Sequence, residues 1–443
     1  MAKVAFIGAG SAVFTRNLVA DLMTFPELDE TRFCFMDIDE KRLELVDRLA
    51  RKMIEQTGSR MTVESTTDRR LALTGADYVI ISIQVGGLDA YELDIEIPRK
   101  YGVEQCVGDT LGPGGVFRGL RHLAVISDIC KELEEVSPNA VILQYTNPMV
   151  IICRALQASS PIRTIGLCHS VQGTSEMLAR FIGAPYEEIK YWVAGINHMS
   201  WFLQFEWNGK DAYPLLREKM SDPSVYGEEP TRFELFRHFG YFVTESSGHA
   251  SEYVPYFRKR PELLEDLVNR FSKDHNAWFD FGRTGGYLRH CKEEVKKYFD
   301  WFEEQLKPET AINLCRSHEY GAQIIHGIET NTPYRINGNV ANNGVITNLP
   351  YDACVEVPCL IDSTGIHPCH VGALPPQLAA LIQTNLNVQE LAAQGHILRD
   401  RSLIKQAIKM DPLTAAVCSL DEIDRMVDEL FDAQAQWLPQ FSS

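Results

Sequence analysis

Apolar runs of strand length alternate with stretches of helical spacing through the first half of the chain. The segment 76–83 is a continuous apolar run, which is typical of a strand buried on both faces of a parallel sheet. The pattern predicts strands at 4–7, 32–37, 76–83, 141–143 and 164–167, with helices at 11–22, after residue 39 and at 120–133. Strands that alternate with helices predict an α/β fold with a doubly wound sheet through about residue 195.

The alternation fades in the second half. Residues 213–330 carry helical periods with many aromatic side chains, residues 335–360 contain short strand-like pieces, and the chain is helical again over about 377–430. We interpret this half as an α+β domain packed on the open edge of the first sheet. Because 443 residues exceed what one hydrophobic core usually serves, we predict two domains, at 1–195 and 196–443.

A glycine turn lies between the first strand and the first helix, where a dinucleotide-binding motif is expected. Gly8 would make the tight turn, Gly10 would let the backbone approach a pyrophosphate, and Ser11 opens the helix whose N-terminus attracts it. Val13 stands where a third glycine usually falls, so the motif is incomplete. Asp37 ends the second strand, where a carboxylate accepts hydrogen bonds from the ribose 2′-hydroxyl and repels a 2′-phosphate. The pattern predicts NAD rather than NADP, and the alternative is a purely structural glycine turn.

The loop after the strand at 76–83 contains Ser82 and Gln84. The carboxyl ends of strands face the cofactor crevice in doubly wound folds, so this loop should border the nicotinamide half. The first domain is therefore predicted to be Rossmann-like, as in lactate and malate dehydrogenases.

Composition narrows the possible partners and compartment. A net charge of −17 argues against a nucleic-acid partner, because phosphate binding needs a basic surface. No stretch reaches the ~18–20 apolar residues of a membrane span, and the N-terminus does not resemble a secretory signal. The 11 cysteines have no framework of even spacings. They predict reduced thiols in a cytoplasmic protein.

Polar residues follow the ends of four further apolar runs. If the strands are parallel neighbours, these residues converge on one crevice. Cysteine and histidine there would suit a divalent metal such as Mn, Fe, Co, Ni or Zn. Taken singly, each has a structural alternative, as a buried thiol, a core histidine or a turn. The four segments are Asp109–Gly115, Asn147-Pro148, Cys168–Ser170 and Gly195–His198.

These motifs, in this order, resemble those of the NAD- and manganese-dependent family 4 glycoside hydrolases. The family pattern comprises Gly-x-Gly-Ser, Asp-Thr-x-Gly-x-Gly-Gly, Asn-Pro, Cys-His-Ser-Val and Gly-x-Asn-His. The corresponding segments here are Gly8–Ser11, Asp109–Gly115, Asn147-Pro148, Cys168–Val171 and Gly195–His198. The resemblance extends over the whole chain, including Thr244–Ser247, Glu252-Tyr253 and the 355–381 region. Cys-His-Ser-Val is similar to the α-galactosidase branch of the family.

The resemblance implies roles for five residues. Cys168 and His198 would bind a divalent metal, Mn²⁺ above all, His169 would donate a proton, Tyr253 would accept one, and Asn147 would contact the sugar. Asp109 is a further substrate-binding candidate, from its place at a strand end.

The implied reaction is a redox-neutral hydrolysis of a small glycoside by a homodimer or homotetramer. Oxidation at C3 by NAD⁺ makes the C2 proton acidic, and a metal on the C2 and C3 oxygens polarises the ketone. Loss of the C2 proton then expels the C1 aglycone, water adds, and the hydride returns to C3. NAD is a recycled catalyst in this scheme.

Other functions remain open from sequence. A malate-type NAD-dependent dehydrogenase would share the cofactor-binding domain, but it would give Cys168 no role. A non-catalytic NAD sensor would not need a metal site. Within the hydrolase interpretation, an α-glucoside or a uronic-acid glycoside could replace the α-galactoside as substrate.

Three further features are interpreted structurally. The segment 367–370, His-Pro-Cys-His, matches no zinc spacing well and contains a turn-forming proline. Trp192, Trp201 and Trp207 have strand-like spacing that is more often found in a core. The apolar stripe 381–391 predicts a helix face at an intersubunit or interdomain contact.

Overall fold

The computed structural model describes residues 2–271 and 282–441. The strands are β1 Lys3–Ile7, β2 Arg32–Met36, β3 Thr62–Thr66, β4 Tyr78–Ile81, β5 Val141–Gln144, β6 Arg163–Gly166, β7 Ile189–Ile196, β8 Met199–Trp207, β9 Lys210–Asp211, β10 Tyr334–Ala341, β11 Cys354–Asp362 and β12 Gly365–Pro368. The helices are α1 Ala12–Met23, α2 Glu40–Thr57, α3 Arg69–Leu73, α4 Gly87–Lys100, α5 Gly112–Val136, α6 Met149–Ser159, α7 Ser170–Ile182, α8 Tyr213–Lys219, α9 Pro223–Glu228, α10 Pro230–Phe239, α11 Ser247–Ala250, α12 Pro261–Arg270, α13 Gly286–Leu306, α14 Gly321–Thr330, α15 Pro376–Leu398, α16 Arg401–Met410, α17 Pro412–Val417 and α18 Leu420–Ala433. Among the helices of these ranges, none is long and apolar enough to cross a membrane.

The first six strands form a parallel sheet in the order β3-β2-β1-β4-β5-β6. This is the strand order of dinucleotide-binding folds, in which the ligand crevice opens at the carboxyl ends of the strands. The chain order reverses between β1 and β4, so the turn after β1 and the loop after β4 flank that crevice. The predicted Rossmann-like fold is confirmed.

The second half of the chain continues this sheet. β10 pairs antiparallel with β6, the order runs on through β11, β7, β8 and β9, and β12 pairs with β11 outside this path, which gives twelve strands in all. Strands are present at 335–360 as expected, but they are not short, since β10 and β11 have eight and nine residues. Two buried asparagines interrupt the apolar pattern of β10, and each donates a side-chain hydrogen bond to a neighbouring strand: Asn337 to Val193 O and Asn339 to Gly166 O. The division into domains at residue 195 stays a prediction.

The glycine-rich segment 109–115 is mostly the first turn of α5. The apolar spacing predicted a helix over 120–133, but the helix begins at Gly112, and proline in its first turn is well suited to a helix start. The glycines are needed for close packing. A Cβ on Gly114 would lie 2.6 Å from Asp94 O, and one on Gly115 would lie 2.6 Å from Thr110 C.

A buried ion pair joins α4, α5 and the end of the chain. Arg121 donates to both carboxylate oxygens of Asp94, at 2.8 and 2.6 Å, and both side chains are almost completely buried. Gln434 donates to Asp94 Oδ1 at 2.8 Å, and its own side-chain oxygen accepts from Arg121. Arg121 Nε also donates to Val85 O at 3.3 Å. The pair therefore ties the loop after β4 to the C-terminal segment.

The apolar stripe 381–391 faces the interior of this chain. It lies on α15, which packs against α6 of the first half and α16 of the second. This agrees with the interdomain interpretation of the stripe.

The three tryptophans differ in burial. Trp201 is fully buried, in agreement with a core role. Trp192 and Trp207 are only half-buried, so the core interpretation was wrong for these two. Trp192 lies on β7 and Trp207 on β8, toward the β9 edge of the sheet, and Trp207 donates to the Glu188 carboxylate at 2.8 Å.

Candidate active site

The turn after β1 is tightly packed and has the shape of a pyrophosphate-binding loop. Gly8 has φ +84°, and its amide donates to Met36 O at 3.0 Å. A Cβ on Gly8 would collide with Ser82 O of the loop after β4. The Gly10 amide donates to Asp37 Oδ2 at 2.7 Å. Asp37 thus stabilises the turn. It directly follows β2, at the position where the ribose of a dinucleotide would lie in this fold.

A residue from the second half of the chain contacts this turn. Tyr298 of α13 donates from its hydroxyl to Gly10 O at 2.8 Å, and Arg42 lies 4.6 Å over its ring. Sequence reasoning missed Tyr298, because the contact spans 288 residues. The predicted Ser82 and Gln84 lie in the loop after β4, with the Ser82 amide donating to Ile7 O at 3.0 Å and the Gln84 side chain to Gly87 O at 3.2 Å.

Replacing Gly8 with alanine should weaken NAD binding at least about tenfold, because a Cβ both collides with Ser82 O and occupies a left-handed conformation. Gly58→Ala is the matched control. Gly58 also has a positive φ, +66°, but a Cβ there meets no atom within 4 Å. Titration of each variant with NADH, followed by fluorescence, checks the prediction. Equal affinity of the two variants would contradict it.

The predicted strand-end residues meet in one buried cluster. The Asn147 side chain lies 3.5 Å from Asp109 Oδ2, and Cys168 Sγ lies 3.5 Å from His198 Nε2. The Tyr253 hydroxyl lies 3.2 Å from His198 Nδ1. Asn147, Cys168 and His198 follow strands β5, β6 and β7, as expected. Asp109 lies between α4 and α5 and not at a strand end, and β7 is separated from β6 by β10 and β11, so the expectation of four parallel neighbouring strands was wrong.

His198 presents its two nitrogens to different partners. Nδ1 lies 3.0 Å from Thr110 Oγ1, and Thr110 in turn donates to Asp109 Oδ1 at 2.7 Å. Because Thr110 donates its hydrogen to Asp109, we assign the ring hydrogen of His198 to Nδ1, which leaves the lone pair on Nε2. Burial lowers the pKa of His198 to about 4, so the ring is neutral at pH 7. Here the ring is neutral, and a carboxylate fixes its N–H through the Thr110 hydroxyl. Metal-binding histidines are usually neutral, with the second ring nitrogen fixed by a hydrogen bond.

Glu245 and His249 complete the cluster, and sequence reasoning gave neither a role. Glu245 Oε2 lies 3.4 Å from His198 Nε2, and Glu245 Oε1 lies 3.4 Å from His249 Nδ1. His249 Nε2 lies 3.5 Å from Asp109 Oδ1. Although burial opposes charge on His249, Glu245 and Asp109 raise its pKa to about 9. Burial likewise opposes charge on Asp109, but His249 holds the pKa of Asp109 well below its usual range. Glu245 precedes α11 with a left-handed backbone, so its four-residue spacing from His249 is not the helical spacing that sequence patterns reveal.

The two proposed proton-transfer residues lie in different surroundings. Tyr253 is buried, and burial together with Asp109 raises the pKa of its hydroxyl. Its neighbour Glu252 accepts from the amides of Val107 and Gly108, at 2.6 and 2.9 Å, and so fixes the segment. The His169 side chain is 59% exposed, and its Nδ1 lies 3.2 Å from Glu319 Oε1. This contact raises the pKa of His169, which favours the protonated ring.

Within the part of the chain that the structure describes, two groups of donor atoms lie close enough to hold one metal ion. Cys168, His198 and Glu245 form one group, and Asp109, His198 and His249 form the other, with all atoms of a group within 4.8 Å. The second group would use a protonated His249, which is a poor ligand. The first group, with thiolate, imidazole and carboxylate, suits a divalent transition metal.

Comparison with known proteins identifies the family. Residues 3–184 match the model of the family 4 glycosyl hydrolases, and residues 193–414 match the model of their C-terminal domain. The chain belongs to glycoside hydrolase family 4. This family 4 enzyme is 40% identical to an α-galactosidase from Bacillus subtilis, with 100% of both chains covered. It is 41% identical to an α-galactosidase from Rhizobium meliloti, with 99% of this chain and 90% of that protein covered.

Solved structures agree with the fold of the family 4 enzyme. A Bacillus subtilis protein described as a glucosidase superposes with a TM-score of 0.85 at 27% identity, covering 97% of this chain and 99% of that one. A 6-phospho-β-glucosidase from Thermotoga maritima, solved with manganese, NAD⁺ and glucose-6-phosphate, gives 0.79 at 22%, covering 98% and 99%. Malate dehydrogenase from Plasmodium falciparum gives 0.51 at 13%, covering 91% and 100%. The last two likenesses concern the fold alone.

The His-Pro-Cys-His segment of the family 4 enzyme lies apart from the cluster. His367 contacts Asp362 Oδ1 at 3.1 Å, and its side chain is 46% exposed. Neither donor group found in the described ranges includes a residue of 367–370. This agrees with the structural interpretation of the segment.

Proposed function

We propose that this family 4 glycosidase is an α-galactosidase that uses NAD⁺ and Mn²⁺. The observation that carries the proposal is the buried cluster in which Cys168 and Tyr253 flank the two nitrogens of His198, at 3.5 and 3.2 Å. This cluster shares the carboxyl end of the sheet with the nucleotide turn. The α-galactosidase names of the relatives at 40% and 41% identity support the choice of sugar.

The residues present fit both cofactors. A Cβ on Gly8 would collide with Ser82 O and one on Gly10 with the Asp37 carboxylate, so the two glycines allow the tight turn that a pyrophosphate-binding loop requires. Cys168 and His198 supply a soft and a borderline donor for a divalent metal. When bound, NAD⁺ accepts and returns a hydride at C3 of the sugar, and the metal polarises the carbonyl so created.

The chain's own residues then move protons and position the sugar. Tyr253, shielded from water and ionised to the phenolate near the bound metal, takes the C2 proton. His169, protonated beside Glu319 at the exposed side of the cluster, gives a proton to the departing aglycone oxygen. Asn147 binds a sugar hydroxyl, and its buried Oδ1 has no hydrogen-bond partner among the described residues. Asp109 accepts from another hydroxyl.

A panel of nitrophenyl glycosides, assayed with NAD⁺, Mn²⁺ and a reducing agent, tests the proposal. We expect the α-galactoside to be cleaved fastest, ahead of the α-glucoside and the α-galacturonide, with no net accumulation of NADH. Sustained NADH accumulation would indicate a dehydrogenase. Full activity in chelator without added cofactor would reject the cofactor dependence.

Hydrolysis in deuterated water should place deuterium at C2 of the released galactose, because the C2 proton is removed by Tyr253 and replaced from solvent. Mass spectrometry or proton NMR of the product measures the incorporation. A sugar released by direct displacement at C1 keeps its original C2 hydrogen, and that outcome would rule out the elimination mechanism. An α-galactosidase that uses two carboxylates provides the control product.

The predicted assembly and location rest on the family resemblance and on composition. A homodimer or homotetramer stays a prediction, and the mass of the protein in solution tests it. The cytoplasmic location likewise stays a prediction.

A further inference from the structure

Cys168, His198 and Glu245 each direct a donor atom at the same small space. Only Cys168 and His198 have a proposed role as metal ligands. We propose that Glu245 is a third protein ligand of the metal, so that the site binds its ion before any sugar arrives. This inference rests on the metal dependence proposed above. It concerns Glu245 Oε2, which lies with Cys168 Sγ and His198 Nε2 within 4.8 Å.

The orientation of His198 makes the contact with Glu245 unfavourable without a cation. The Nδ1 hydrogen is committed to Thr110, which passes its own hydrogen to Asp109. Nε2 therefore directs a lone pair at Glu245 Oε2, 3.4 Å away, and at Cys168 Sγ, 3.5 Å away. Lone pairs that face one another repel unless a positive charge lies between them.

The separations match those of atoms bound to one ion. Two ligands that are each about 2.0–2.3 Å from one metal lie roughly 3–3.5 Å apart when the angle between them is about 90–110°. The observed distances from His198 Nε2 are 3.4 Å to the Glu245 carboxylate and 3.5 Å to the Cys168 sulfur. The Cys168 sulfur and the Glu245 carboxylate lie within 4.8 Å of each other, so binding of one ion needs at most a small inward shift of these two side chains.

The backbone around Glu245 is held in a conformation that aims its carboxylate at this space. Glu245 has φ +69°, and His198 opposite has φ +63°; left-handed non-glycine residues are uncommon and concentrate at functional sites. The preceding residue, Thr244, is bound to Ser200 in both directions, by Thr244 N to Ser200 O at 2.8 Å and Ser200 N to Thr244 Oγ1 at 3.2 Å. His249 holds the other carboxylate oxygen of Glu245 at 3.4 Å. Oε2 is therefore fixed toward the donor group.

The consequence is a site with three protein ligands rather than two. A two-ligand site would depend on sugar oxygens to complete the coordination, so it would bind metal poorly in the free enzyme. A Cys-His-Glu site binds metal without substrate and keeps its remaining positions for the sugar.

The test measures metal affinity in the full-length protein, without sugar or NAD⁺. Wild type, Glu245→Gln and Glu245→Ala are titrated with Mn²⁺ by electron paramagnetic resonance and with Co²⁺ by absorption. Glu319→Gln is the matched control, since Glu319 borders the same crevice through His169 but belongs to neither donor group. Circular dichroism melting of each variant checks that it is folded.

We expect both Glu245 variants to bind metal at least about 100-fold more weakly than wild type, because loss of even an outer partner costs 10–100-fold. Glu319→Gln should stay within about twofold of wild type. The thiolate–cobalt absorption should persist in the Glu245 variants at saturating Co²⁺, since Cys168 remains.

Wild-type affinity in the Glu245 variants would overturn the inference and leave the proposed function intact. An equal loss of metal affinity in Glu319→Gln would also overturn it, because removal of any negative charge near the crevice would then have the same effect as removal of a ligand. Failure of the wild type to bind either metal would overturn the proposed metal dependence and the inference together.

Discussion

Tyr253→Phe should lower kcat of the cofactor-loaded enzyme by about 10²–10⁴-fold, the usual contribution of a proton-transfer group. The substitution removes one oxygen atom and keeps the ring that packs in the buried cluster. No other hydroxyl reaches His198 Nδ1 except that of Thr110, which is engaged with Asp109, in the part of the chain that the structure describes. The loss should fall on kcat rather than on KM, because proton removal occurs after the sugar binds.

Tyr256→Phe is the control for this prediction. Tyr256 is three residues away and 45% exposed, so loss of its hydroxyl should leave kcat near the wild-type value. Steady-state kinetics with the nitrophenyl galactoside give both parameters, and the rate of deuterium entry at C2 should fall with kcat. A Tyr253→Phe enzyme with wild-type kcat would assign the proton acceptor elsewhere.

Asp94→Ala should reduce the free energy of unfolding by about 3–5 kcal/mol, because it leaves the Arg121 guanidinium buried without its counter-charge. Asp94 receives two hydrogen bonds from Arg121 and one from Gln434, and its side chain has no solvent exposure. NAD binding should also weaken, since Arg121 holds Val85 O in the loop after β4.

Chemical denaturation followed by circular dichroism measures this effect, with NADH fluorescence for the cofactor. Asp128→Ala is the control, because the Asp128–Lys131 pair is exposed on both sides and exposed pairs add little. Equal midpoints for the two variants would show that the buried pair adds nothing to stability.

Sequence periodicity found five of the six parallel strands but missed β3, a mostly exposed strand at the edge of the sheet, and it was less successful in the second half. Strands that are buried on both faces read as apolar runs, so β1, β4 and β5 were found close to their true bounds. β10 carries Asn337 and Asn339 in its buried middle, where their side-chain nitrogens donate to Val193 O of β7 and Gly166 O of β6. A polar residue paired only through tertiary contacts has no local signal, so this strand appeared broken.

The sequence predicted those residues of the candidate site that directly follow strands. Cys168 and His198 were assigned from motifs, and the structure places them 3.5 Å apart. Glu245 was missed because its contact with His198 depends on a left-handed backbone that a glutamate rarely adopts. Tyr298 was missed because α13 reaches the glycine turn only through the fold.

The twelve-stranded sheet has a mechanical consequence. Backbone hydrogen bonds connect β1, beside the nucleotide turn, through β6, β10 and β11 to β7, which leads to His198. The β6–β10 and β11–β7 junctions each consist of one residue pair, Asn339 with Gly166 and Glu356 with Gly195, so a hinge between the two halves would have to break one of these two junctions. In the proposed cycle, a nucleotide that returns to its starting redox state has no need to dissociate between turnovers.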